Sequence, residues 1–75
     1  MGLFRLRIRE LAKQQGIGIR ALSRQANVPY STVATYTGSP GMATADIPAV
    51  MRIAEVLGVS IEELVEVLEE TDPSS

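Results

Sequence analysis

The chain has 75 residues, 45% of them apolar and 21% charged, with neither cysteine nor histidine, a globular composition with room for one small core. The missing residue types exclude a disulfide framework, a thiolate or imidazole metal site and the commonest general base. No convergent carboxylates or phosphate loop replace them, so neither an enzyme nor a cofactor is expected. The net charge of −2 conceals a split: residues 1–45 carry six basic and one acidic side chain, a net +5, and residues 46–75 carry one basic and eight acidic, a net −7. Such a molecule is dipolar, and its basic half is a candidate surface for a polyanion.

The chain opens with MGLFRLRIRE, where arginines interrupt every apolar pair, unlike a signal peptide. No apolar run approaches the roughly 20 residues of a membrane span, so a soluble cytoplasmic protein is expected. Phe4, Leu6 and Ile8 alternate with Arg5, Arg7 and Arg9, which is strand periodicity, yet Phe4, Ile8, Leu11 and Ala12 also share one helical face. A short strand or arm over about 1–7, running into a helix from about Arg7 to Gln15 that Gly16 ends, reconciles the two. Arg5, Arg7 and Arg9 then either follow a nucleic-acid backbone as an arm or sit on the edge of a small sheet, with the sheet edge favoured.

Ile19, Leu22, Ser23 and Ala26 fall at helical spacing and predict a short second helix carrying Arg20 and Arg24 outward. Asn27 stands where a tight turn needs positive φ. Pro29 suits the start of a third helix, Tyr30 to about Thr37, with Val33 and Tyr36 facing inward. GSPGMATA is a loop by composition. Asp46 is the preferred N-cap of a fourth helix, with Thr44 the alternative; Ile47, Val50, Ala54 and Leu57 form its buried stripe, and Gly58 ends it. Ser60 and Glu63 spell a capping box for a fifth helix whose buried face is Ile61, Leu64, Val65 and Leu68, with Val59 stapled against Leu64. The run from Glu62 to Glu70 reads as a solvated helix face, not as metal ligands. Met51 and Val67 lie off the inward stripes and are either a dimer patch or ordinary exposed apolar residues. The tail, 71–75, is expected to fray. The whole, 1–75, is therefore read as one all-α domain of five short helices with a helix, tight turn and helix over 19–37.

Three stretches carry a resemblance: IRELAKQQGI, IRALSRQANVPYSTVATYTG and IPAVMRIAEVLGVSIEELVE. Together they resemble the Cro/lambda-repressor-like helix-turn-helix regulators, the Xre family, from about Ile8 to Val65. The resemblance implies a compact five-helix bundle that binds operator DNA, usually as a dimer, through the second helix of the motif. Carried over, the base-facing positions are Tyr30, Ser31, Thr32 and Thr35, while Ile19, Arg20 and Arg24 approach phosphate. Three departures stand out: Gly18 replaces the usual Ser or Thr cap, Thr37, Gly38 and Ser39 replace an acidic–basic pair, and the reading helix carries no Arg or Lys. The expected function is sequence-specific double-stranded DNA binding by a small transcriptional regulator, a repressor. The alternative is an antitoxin-type or other protein-interaction subunit, gripping a partner through the acidic half, with weak or no DNA binding.

Overall fold

The computed structural model describes residues 3–39 and 41–68. Its elements are β1 (Phe4–Leu6), α1 (Ile8–Gln15), α2 (Ile19–Ala26), α3 (Tyr30–Gly38), α4 (Ile47–Leu57), α5 (Ile61–Leu64) and β2 (Val65–Val67). The expected mostly helical five-helix domain with an N-terminal strand is therefore present.

Local chemistry explains most of the boundaries. Gly16 closes α1 at φ 70°, and Asn27 closes α2 at φ 57°, each donating its backbone N–H to carbonyls of the helix it ends. The Asp46 carboxylate accepts from the Ala49 N–H at 3.1 Å, so Asp46 and not Thr44 caps α4. The Ser60 hydroxyl accepts from the Glu63 N–H at 3.1 Å while Glu63 accepts from the Ser60 N–H at 3.0 Å, completing the capping box. Packed beneath these ends are Leu6, Ile8, Leu22, Val33, Ile53, Leu57 and Leu64, all fully buried, with α2 lying against both α3 and α4. Val59, before the capping box, packs on the same core as Leu64.

The fifth helix is shorter than its sequence predicts. It stops at Leu64, and Val65–Val67 runs antiparallel to β1 with Phe4 opposite Val67, Arg5 opposite Glu66 and Leu6 opposite Val65. The Arg7 N–H donates to the Leu64 carbonyl at 2.8 Å and the Leu68 N–H to the Leu3 carbonyl at 3.0 Å. β1 thus supplies the backbone partners that another helical turn would have provided, and β-branched valines suit the pleated surface. As a result Ile61 and Leu68 are exposed and Val65 is only half-buried, in place of the buried face expected of a longer helix. Ile47 is likewise 63% exposed: as the first residue of α4 it stands at the rim of the core, while Val50, Ile53, Ala54 and Leu57 fill it. Met42 bridges the other edge of β1 through reciprocal bonds with Phe4. The predicted tail at 71–75 lies outside the described residues.

Candidate nucleic-acid interface

The turn between α2 and α3 is held from inside. Ser23 sits at the close approach of the two helices, and its hydroxyl donates to the Val28 carbonyl at 2.6 Å. Val28 is buried beneath the turn, and the Pro29 carbonyl accepts from the Thr32 and Val33 N–H groups to start α3. Val33 anchors α3 in the core. Tyr36 packs against its margin, and the Tyr36 hydroxyl accepts from the Asp46 N–H at 2.9 Å, tying α3 to the start of α4.

With Val33 and Tyr36 turned inward, Tyr30, Ser31 and Thr35 are exposed on the outer side, and Thr32 and Ala34 are half-buried along its margins. Among the described residues, the side-chain hydroxyls of Tyr30, Ser31, Thr32 and Thr35 make no intramolecular hydrogen bond. By contrast, Thr37 donates to the Val33 carbonyl at 2.7 Å and Ser39 to the Thr35 carbonyl at 2.9 Å, so these two hydroxyls satisfy the end of their own helix. Sequence reasoning gave Thr37 and Ser39 no such role. A hydroxyl within one turn of a helix end was the available signal.

Cations flank this surface. Arg20 is exposed on the first turn of α2, and its guanidinium lies over the Tyr30 ring, 5.3 Å from the centroid. Arg24 is exposed on the last turn of α2, beside the groove formed by Ser23, Asn27, Val28 and Pro29. Ile19 is half-buried and packs against the core, so what it offers outward at the start of α2 is backbone. Gly18 places no side-chain cap on that end.

The three N-terminal arginines separate into different environments. Arg5 is held between Glu10 at 2.7 Å and Glu66 at 2.5 Å. The hydrogen bonds Arg5 donates to Glu10 and then to Glu66 raise the Arg5 pKa further, and the first of these bonds holds the Glu10 carboxyl below its ordinary range. Arg7 donates to the Glu63 carbonyl at 3.2 Å. Only Arg9, exposed on α1, is left facing outward; with Lys13 it lines a groove whose other wall is Ile17, Gly18, Ile19 and Thr37. The alternation in FRLRIR was therefore sheet geometry as far as Leu6, with Arg5 bound within the fold.

A helix, left-handed turn and helix, with the second helix presenting an uncharged polar face between basic side chains, is the geometry of a helix-turn-helix motif. Residues 7–70 match the family model of the Cro/C1-type HTH DNA-binding domain. The chain belongs to this family. Comparison with curated proteins and with solved structures found no match. A Cro/C1-type domain is a DNA-binding domain, which makes DNA its partner and fits a role in regulation. Among the described residues, no helix is long and apolar enough to cross a membrane and no cluster of acidic side chains could hold a metal ion.

Proposed function

We propose that this chain is a sequence-specific transcriptional regulator that represses by occupying its operator as a homodimer. In this reading Tyr30, Ser31, Thr32 and Thr35 face the major groove, where the Ser31, Thr32 and Thr35 hydroxyls bond to base edges and the threonine methyls meet thymine methyls. Arg20, Arg24 and the backbone at Ile19 hold phosphates and fix the register. The carrying observation is the unpartnered hydroxyls of α3, exposed at Tyr30, Ser31 and Thr35 and half-buried at Thr32, braced from below by Val33 and Tyr36 and flanked by two exposed arginines. Because α3 carries no charge, one copy binds weakly, and two copies on a two-fold site supply the affinity. An apolar groove lined by Phe4, Leu6, Ile47, Val50, Ile61 and Val65, with Val67 exposed on the neighbouring strand, supports a second copy as the partner. DNA binding of this kind places the protein inside the cell.

A salt titration of binding to duplex DNA tests the reading. The slope of log affinity against log salt should fall by about one unit in Arg20→Ala, because one phosphate contact is lost. Absence of binding to any duplex at low salt overturns it.

A second reading rests on the exposed acidic side chains Glu55, Glu62 and Glu63. They would let the domain serve as an antitoxin-type subunit gripping a basic partner protein. Co-purification of a basic partner from the native host, released by high salt, supports that role, and a lone stable homodimer opposes it.

A further inference from the structure

We infer that Tyr30 is a positioning residue for Arg20: its ring holds the guanidinium at the mouth of the reading surface, ready for a phosphate, and base reading falls to the smaller hydroxyls. This rests on the DNA-binding reading above and narrows the role of Tyr30 within it.

The two side chains come from the first turns of different helices, Arg20 from α2 and Tyr30 from α3. Their approach is set by the backbone between them: Asn27 in the left-handed region, Pro29 fixing the entry to α3, and the Ser23 hydroxyl bonded across to the Val28 carbonyl. A guanidinium 5.3 Å above the ring centroid is within cation–π range. Among the described residues, the only ion pairs are those of Arg5, so no carboxylate competes for Arg20. Tyr30 is 49% exposed, and its hydroxyl makes no hydrogen bond among the described residues, unlike that of Tyr36.

The chemistry favours this division of labour. The ring engages the guanidinium through its π face, and among the described residues no Arg20 N–H is bonded elsewhere, so these donors stay available for phosphate oxygens. An arginine already held over a ring loses less rotamer freedom when the phosphate arrives. A lysine lacks the planar fork that suits both contacts.

The experiment is a double-mutant cycle on duplex binding, read as affinity, salt slope and sequence preference, with thermal unfolding of each variant as control. Tyr30→Phe keeps the ring and should bind like the parent with the same preference. Tyr30→Leu should lose about two- to fivefold in affinity, the range of an exposed cation–π contact, without a change in sequence preference or thermal midpoint. In the Arg20→Ala background, Tyr30→Leu should then cost nothing more. The Arg20 side-chain protons of the free protein should show a ring-current shift that survives Tyr30→Phe and disappears in Tyr30→Leu. The inference fails if Tyr30→Phe changes sequence preference, or if Tyr30→Leu costs the same with and without Arg20. If the parent binds no duplex at all, the DNA-binding reading itself fails and this inference with it.

Discussion

Ser23 serves two needs with one small side chain: it lets α2 and α3 approach, and its hydroxyl satisfies the Val28 carbonyl in the turn. Ser23→Ala keeps the approach and removes the bond, so it should lower unfolding stability by about 1 kcal/mol in urea denaturation. Leu22, fully buried next to it, should cost about 2–5 kcal/mol as Leu22→Ala, a large share of the stability of so small a domain. Glu10 gives a pH signature. Its folded pKa is depressed below the ordinary 4.5, so its contribution is present above that value and is lost as pH falls through the folded pKa. Glu10→Gln should therefore melt below the parent at neutral pH, with the two thermal midpoints converging as the solution is acidified. Residues that act locally were legible in the sequence: Asn27 by its tolerance of positive φ, Asp46 and Ser60 by their capping positions. The pairing of Arg5 with Glu66 was not, because the two stand 61 positions apart and no local pattern joins them.

α5 and β2 show where local pattern meets its limit. Ile61, Leu64, Val65 and Leu68 have helical spacing, while Val65, Glu66 and Val67 also alternate as a strand does. The choice between them rests on β1, which lies at the other end of the chain and needs backbone partners. The sequence therefore announced where α5 starts, through the capping box, but not where it ends. Because α5 is a single turn, its cap matters to the strand that follows it. Ser60→Ala should cost about 0.5–2 kcal/mol, and amide exchange should quicken at Arg7 and Leu68, whose N–H groups bond across the β1–β2 sheet. α2 and α3 were more readable, since their spacing, turn residue and inward side chains all agree and nothing distant competes with them.

Over the whole molecule, charge and apolar exposure divide the labour. The basic half carries α3 and its flanking arginines, whereas the acidic half carries exposed Ile47, Met51 and Val67. Val67 is 73% exposed, so Val67→Lys should leave the thermal midpoint of dilute protein nearly unchanged. On the homodimer reading, the same change should lower operator affinity and shift sedimentation toward the monomer. The central claim is that α3 reads sequence with uncharged groups while arginines outside it provide attraction. Binding-site selection from random duplex DNA, run side by side on the parent and on Thr35→Ala and followed by salt titration of the selected site, tests it most directly. The account predicts a two-fold symmetric site with half-sites roughly 34 Å apart, and in Thr35→Ala a relaxed preference with an unchanged salt slope. Enrichment of no sequence at any salt concentration, or a Thr35→Ala variant that selects the parent's site with undiminished preference, would contradict it.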